Sequence, residues 1–204
     1  MHAILKKILI EQKGRQMKPM KQTRCRWCNP ANERYIRYHD EEWGVPTYDD
    51  ALLYELFILE PFQAGLSWET ILNKRENFKR AFENYDMDKI AAFDARRIEE
   101  LLTDASIIRN RRKIEAAIHN TGVFREIQKE WGSFHAYIWH FTGNQVIREW
   151  DKTSSPLSDE ITADLKKRGA KFIGTTIIYS YLQAVGIINS HEPTCFLYPD
   201  SSNR

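Results

Sequence analysis

The 204-residue chain contains only three cysteines, Cys25, Cys28 and Cys195. A small, odd number of cysteines excludes a disulfide scaffold of this size and favours reduced thiols or metal ligands, as in a cytoplasmic protein. The chain also has little net charge, because 30 basic residues are balanced by 28 acidic ones. Its overall charge therefore does not indicate a nucleic-acid partner, and such a partner would require a local basic patch.

Long apolar segments are also missing. The short apolar cluster near the N-terminus is interrupted by Lys6 and Lys7, which does not match a signal peptide. Residues 172–190 have no charged side chain, but their hydroxyl, amide and glycine residues make the segment too polar for lipid. We therefore expect a buried core helix there and no association with a membrane.

The spacing of apolar residues indicates a helical protein. They recur every three or four positions, and the alternation typical of strands is scarce. We expect an all-α fold: a basic extension over residues 1–22, then a single domain of two helical lobes over 23–204. One predicted helix starts at Asp49 or Asp50 and ends at Glu60-Pro61, and a second starts at Ser67. Shorter helices are predicted over about 87–93, 95–103, 111–120, 123–130 and 133–141. The last two start at Ser158, ending at Gly169, and at Thr175 or Thr176.

Possible metal donors lie near both ends of the domain. Cys25 and His39 come early, and His191-x-x-x-Cys195 comes late. Two thiolates and two imidazoles suit tetrahedral zinc, and four protein ligands would close the shell of a structural site. Cys28 is an alternative to Cys25, because Cys25-x-x-Cys28 is itself a common zinc spacing. An accidental scatter of Cys and His is the other alternative.

A second group combines aromatic rings with a carboxylate. Tyr35, Tyr38 and Trp68 supply faces on which a flat heterocycle can stack, and Glu60 supplies a group that can read its edge. A cationic base would gain further from the rings and the carboxylate. The alternative is that the rings are ordinary core residues and Glu60 is a solvent-facing helix residue before a proline.

Several longer motifs make the sequence recognisable. Residues 24–199 closely resemble the DNA-3-methyladenine glycosylase I family. The motifs are Arg24-Cys25-x-Trp27, Tyr35-Ile36-x-Tyr38-His39-Asp40-x-Glu42-Trp43-Gly44-Val45-Pro46, Gln63-Ala64-Gly65-Leu66-Ser67-Trp68, Lys166-Lys167-Arg168-Gly169-x-Lys171-Phe172-x-Gly174-Thr175-Thr176 and His191-x-x-x-Cys195.

The resemblance implies a helix-hairpin-helix DNA glycosylase fold and an enzyme that initiates base excision repair. Such an enzyme flips 3-methyladenine out of alkylated double-stranded DNA and hydrolyses its N-glycosidic bond. We expect a monomer. One alternative is a module that is stabilised by zinc and binds damaged DNA without catalysing base release. The other is a related glycosylase with another lesion preference.

The resemblance also implies roles for particular residues. It implies structural zinc on Cys25, His39, His191 and Cys195, catalytic roles for Glu60 and Tyr38, substrate binding by Tyr35, Trp68 and Glu60, and DNA contacts by Arg109, Arg111, Arg112 and Lys113 in a hairpin at about 96–120. Three features depart from the family pattern: Ser106 stands where the hairpin usually has glycine, Pro61-Phe62 replaces smaller or polar residues, and the extension has no counterpart.

Overall fold

The computed structural model describes residues 22–198, and within this range the protein is mostly helical. All of the predicted extension except its last residue lies outside the described range. The described elements, numbered along the chain, are α1 (Glu33–Glu41), α2 (Asp50–Gln63), α3 (Trp68–Ala81), a 3-10 turn (Glu83–Tyr85), α4 (Met87–Ala91), α5 (Ala95–Thr103), α6 (Arg111–Trp131), α7 (Phe134–His140), β1 (Ile147–Arg148), α8 (Pro156–Lys167), α9 (Thr175–Ala184) and β2 (Ile188–Asn189).

Several helix starts were predictable from capping residues. The side chain of Asp49 accepts a hydrogen bond from the backbone N–H of Ala51 at the start of α2. Ser67 accepts one from the N–H of Thr70 at the start of α3. Such caps satisfy backbone donors that have no partner inside a helix. Asp86, Asp94 and Ser133 cap α4, α5 and α7 in the same way.

Three helix boundaries differ from the prediction. Pro61 does not end α2, because it lies in the last turn of a helix whose residues are almost all buried from Leu53 onward. Gly122 does not divide α6, since the cost of about 1 kcal/mol for a glycine is outweighed by packing along both halves of the helix. Helix α8 starts earlier than predicted, because Ser155 is its cap and Ser158 completes a capping box.

Two parallel strands of two residues each modify the all-α expectation without changing the fold class. Ile147 pairs with Ile188, and Arg148 pairs with Asn189. Strand β1 lies in the long connection between α7 and α8. The pairing fixes this connection beside the chain that leaves α9.

The hydrophobic residues form two clusters of unequal size. The main core is built from residues of all the long helices, and α9 contributes buried residues to it, as the uncharged segment 172–190 predicted. The smaller cluster contains Cys25, Tyr35, Tyr38, Trp43, Leu72 and Cys195. Trp68 packs against both clusters, so the first turn of α3 joins them. Within residues 22–198, no helix combines the length and apolarity that crossing a bilayer requires.

Candidate active site and metal site

A cavity of about 280 Å³ opens beside the smaller cluster. It contains all four side chains that the sequence singled out for a heterocycle pocket. The cavity is lined by Arg26, Trp27, Tyr35, Tyr38, Trp43, Glu60, Gln63, Trp68, Trp150, Asp151, Lys152, Ser180, Gln183, Ser190 and Glu192.

Helix α1 supplies the two tyrosines. Tyr35 and Tyr38 are three residues apart and therefore lie on the same face of the helix. The start of α1 is fixed by Asn32, whose side-chain oxygen accepts hydrogen bonds from the N–H groups of Arg34 and Tyr35. The Asn32 amide also donates to Glu69 of α3 over 2.8 Å, which holds α1 against α3.

Glu60 lies in the last turns of α2 and is only 3% exposed. Its carboxyl group forms no hydrogen bond or ion pair with another residue of the described range. Burial without a compensating cation raises the pKa of Glu60 to about 8. A cationic ligand beside this group would favour its charged form. The expectation of a solvent-facing glutamate is therefore not met.

The indole of Trp68 contacts the ring of Tyr38, with ring centroids 5.4 Å apart. Its Nε1 is buried and has no hydrogen-bond partner among the described residues. Tyr38 is only 2% exposed, and burial raises the pKa of its hydroxyl well above the ordinary value. This hydroxyl therefore stays protonated and is suited to hydrogen bonding rather than to acting as a base.

Trp27 and Trp43, which were not predicted from the sequence, form two further aromatic walls of the cavity. Trp27 lies 5.1 Å from Tyr35 and 4.8 Å from Trp43 between ring centroids, and both tryptophans line the cavity. Both also stand inside the recognisable motifs, so a signal for them existed. The lining residues from α9 and from the strand ends had no such signal, because only the tertiary fold brings them to α1.

Cys25, His39 and Cys195 lie together at the other side of the smaller cluster. One donor atom from each residue lies within 4.8 Å of the others, and all three residues are buried. The thiol of Cys28 instead faces the backbone oxygen of Tyr35 at 3.8 Å. Of the two cysteines that the sequence left as alternatives, the structure therefore brings Cys25, and not Cys28, to His39 and Cys195, which together form the candidate metal-binding cluster.

His191 lies beside these three residues, but its ligand atoms are not all within 4.8 Å of theirs. Its ring centroid lies 5.2 Å from that of His39. Its Nε2 is buried without a hydrogen-bond partner in residues 22–198, while its Nδ1 lies 3.0 Å from the side-chain oxygen of Asn189. A buried imidazole nitrogen without a partner fits a metal ligand.

Both imidazoles are oriented by an oxygen on their outer side. The Nδ1 of His39 lies 2.8 Å from Oδ1 of Asp40. The Arg24 guanidinium donates one hydrogen bond to each oxygen of this carboxylate, over 2.7 Å to Oδ1 and 2.6 Å to Oδ2. If Nδ1 carries the proton in both histidines, Nε2 is left as the donor atom. Burial lowers the pKa of His39, and that of His191 to about 4, so both rings stay neutral, as a metal ligand must be.

The region predicted to be the hairpin consists of α5, a turn over residues 104–110, and α6. The Asp104 carboxylate accepts a hydrogen bond from the N–H of Ser106 over 2.8 Å. Lys74 of α3 donates to the carbonyl oxygens of Ala105 and Ser106 at 3.1 and 3.0 Å. Ser106 is not among the residues with positive φ, so the turn does not require the glycine usual in the family.

The four predicted DNA-contacting residues divide into three groups. Arg109 and Arg112 are exposed. Arg111 is also exposed, but its guanidinium lies 2.5 Å from the carboxylate of Glu99. Lys113 is only 5% exposed, so its expected role in binding a phosphate does not match its position.

The Lys113 ammonium instead closes the end of α2. It donates to the carbonyl oxygens of Phe62 and Ala64 at 2.8 and 2.7 Å. The last carbonyls of a helix have no partner inside the helix, and a cation there also complements the helix dipole. The aliphatic stem of a lysine can be buried for this purpose.

The departure at Pro61-Phe62 does not reshape the pocket. Phe62 is fully buried in the main core, with its ring centroid 4.7 Å from that of Phe78. Neither Pro61 nor Phe62 lines the cavity. Pro61 and Phe62 therefore give no reason to expect a changed lesion preference.

Comparisons with known proteins agree with this site. The family model for methyladenine glycosylase matches residues 27–198. DNA-3-methyladenine glycosylase 1 of Escherichia coli is 42% identical over 182 residues, which cover 86% of this chain and 97% of the relative. DNA-3-methyladenine glycosylase of Haemophilus influenzae is 37% identical over 179 residues, which cover 85% and 96%.

Solved structures show the same similarity. A crystal structure of 3-methyladenine DNA glycosylase I matches with a TM-score of 0.83 and 43% identity, over 87% of this chain and 100% of that one. The 3-methyladenine DNA glycosylase I of Staphylococcus aureus, solved to explain its recognition of 3-methyladenine, matches with a TM-score of 0.79 and 32% identity, over 83% and 93%. The chain belongs to the methyladenine glycosylase family.

Proposed function

We propose that the protein is a DNA repair glycosylase that releases 3-methyladenine from alkylated DNA and so initiates base excision repair. One observation carries the proposal: a pocket walled by aromatic rings ends at the buried carboxyl group of Glu60, which has no partner in the described range. A flat cationic base would supply the missing charge and the stacking surface together. The relatives named for the same activity support this substrate.

The chemistry needs little from the protein beyond positioning. Methylation at N3 gives the adenine ring a positive charge, so the ring leaves without prior protonation. The bond between C1′ of the deoxyribose and the base nitrogen breaks, and its electron pair neutralises the ring. A water oxygen then bonds to C1′ and loses a proton to the solvent. An unmethylated adenine lacks the charge, both as a leaving group and as a partner for Glu60.

Four side chains have distinct tasks in this scheme. Glu60 accepts a hydrogen bond from the exocyclic amine and neutralises the charge of the bound base. Trp68 supplies a stacking face, Tyr38 donates from its protonated hydroxyl, and Tyr35 completes the wall. Because the pKa of Glu60 is about 8 when the pocket is empty, binding a cationic base should release a proton near neutral pH.

We propose further that Cys25, His39, Cys195 and His191 hold a structural zinc ion. The three clustered donors and the unpartnered Nε2 of His191 support this donor set. Two sulfur and two nitrogen ligands close a tetrahedral shell, so the ion stabilises the fold and does not activate water. It would join the start of the described chain to its end.

The hairpin is the proposed surface for double-stranded DNA. Arg109 and Arg112 are exposed there and suit contacts with phosphates, and Arg111 can join them by exchanging its carboxylate partner for a phosphate. We expect the protein to act as a monomer in the cytoplasm.

Release of free base tests the function. Duplex DNA treated with a methylating agent is incubated with the protein, and the products are chromatographed against 3-methyladenine and 7-methylguanine standards. We expect a 3-methyladenine peak from the wild type and a loss on the order of 100-fold for Glu60→Gln, because the amide cannot neutralise the base. A folded, zinc-loaded protein that binds methylated DNA and releases no base would instead be a damage-binding module.

A further inference from the structure

The residues after β1 form one wall of the cavity. The N–H of Glu149 donates to the carbonyl oxygen of Asn189 over 3.3 Å, which extends the parallel pairing by one step. Because parallel strands deliver the residues that follow them to the same end, the turn over residues 149–152 lies beside Ser190. Trp150, Asp151 and Lys152 of this β1 turn all line the cavity.

Trp150 is placed unusually for a tryptophan. It is 44% exposed, and it belongs to neither hydrophobic cluster of the described residues. Glu60, at 3% exposure, lies in the interior of the same cavity. This difference in exposure places Trp150 at the mouth of the cavity and Glu60 at its floor. A large apolar surface is thus held at the entrance without contributing to a hydrophobic cluster.

The turn that carries Trp150 is fixed by its own contacts. Asp151 has a φ of 60°, a left-handed conformation that aspartate tolerates better than most residues. The Lys152 ammonium forms an ion pair with the carboxylate of Glu149 across the turn. Glu149 is in turn held by its backbone to the end of β2. These contacts fix the backbone of the turn that carries Trp150.

We propose that Trp150 is a further substrate-contacting residue, which covers the flipped base and closes the mouth of the pocket to water. The inference rests on the proposed function. A flat cationic base that enters as far as Glu60 leaves its outer part at the mouth, where the indole of Trp150 offers an aromatic face. Covering the base removes water from beside the Glu60 carboxylate, which strengthens the attraction between the two charges.

Calorimetry with free 3-methyladenine, the uncharged product, tests the stacking contact in Trp150→Ala and Trp150→Phe, and excision from methylated DNA tests the contact with the cationic base. We expect Trp150→Ala to bind about 5- to 100-fold more weakly and to lose excision rate in single-turnover assays, and Trp150→Phe to retain most of both. The matched control is Tyr48→Ala. Tyr48 is 52% exposed, stacks on Trp139 with centroids 4.8 Å apart and does not line the cavity, so this change should leave binding unaltered.

A measurement on the wild type avoids any effect of substitution on folding. Oxidative footprinting read by mass spectrometry should show protection of Trp150 by 3-methyladenine and no protection of Tyr48. If the wild type binds and excises 3-methyladenine while Trp150 stays unprotected and Trp150→Ala behaves normally, the inference is wrong and the proposed function stands. If the wild type neither binds nor excises it, the proposed function itself fails.

Discussion

The hairpin and the base pocket both contain partly or fully buried polar groups, but those of the hairpin are hydrogen-bonded within the chain, whereas the Glu60 carboxyl group of the pocket has no such bond to a described residue. At the hairpin, Lys74 and Lys113 each donate to two carbonyl oxygens, and Asp104 accepts from the turn that follows it. At the pocket and the candidate metal-binding cluster, Glu60 has no partner in the described range. The Nε1 of Trp68 and the Nε2 of His191 are also buried there without a hydrogen-bond partner among the described residues.

This difference separates structural polar groups from those that await a ligand. A buried polar group without a hydrogen bond costs about 1–3 kcal/mol. The hairpin avoids this cost within the chain, so its buried cation stabilises the fold. The pocket bears the cost in the free protein, and the proposed base and metal ion would recover it by supplying the partners. Changes to polar groups of the base pocket should therefore cost function, whereas changes to the proposed metal donors or to the paired groups of the hairpin should cost stability.

The largest effect is expected from the metal donors. Cys25→Ala should abolish binding of one zinc ion per chain and lower the free energy of unfolding by several kcal/mol, because a structural zinc site contributes its binding energy to folding. Cys28→Ala is the matched control, since its thiol lies outside the donor group. Metal analysis and thermal unfolding provide the readouts. Full zinc content in Cys25→Ala, with loss in Cys28→Ala, would reverse the assignment.

Lys113→Met comes next and should destabilise the protein by about 2–4 kcal/mol, because it leaves two carbonyl oxygens at the end of α2 without their donor. Arg112→Met is the control on the adjacent exposed position and should change stability by less than about 0.5 kcal/mol. Denaturant unfolding measures both. If Lys113→Met keeps full stability but binds DNA more weakly, Lys113 is a phosphate contact and the contrast between the two regions fails.

Glu60→Gln should, in contrast to Lys113→Met, raise the free energy of unfolding, by about 1–4 kcal/mol at pH 8. The pKa of Glu60 rises on folding from its ordinary value of 4.5 to about 8. The folded state therefore binds this proton more tightly, and the contribution of Glu60 to stability falls as the pH rises from 4.5 to 8. The difference between variant and wild type should vanish near pH 4. A constant difference across this range would show that burial of charge is not its cause.

The smallest effects are expected at the exposed arginines. Arg109→Gln or Arg112→Gln should weaken binding to duplex DNA only a few-fold and reduce the salt dependence of binding by about one phosphate contact each. Lys129→Gln, at the far end of α6, is the control for loss of one charge from the same helix. Titrations at several salt concentrations provide the slopes. Equal slopes for all three variants and the wild type would remove the hairpin from the DNA interface.

The sequence predicted the features that local chemistry determines. Caps such as Ser67 satisfy the next turn of their own helix, and the motif residues of the pocket, such as Tyr38, carry the family pattern. Lys113 could not be placed in this way, because in the sequence it continues a run of arginines. Only the fold brings its amine to the end of α2, 49 to 51 residues away. Trp150 was missed for the same reason, since its place depends on the pairing of two very short strands.

Helix α1 has a consequence for how the pocket can evolve or be redesigned. Its nine residues carry Tyr35 and Tyr38 to the cavity and His39 to the candidate metal-binding cluster. A change made there to admit another lesion also perturbs a metal donor, so substitutions on α1 should show strong epistasis. Helix α9 and the β1 turn line the same cavity and contribute no metal donor. New base specificities should therefore be sought by varying those two segments while α1 is kept constant.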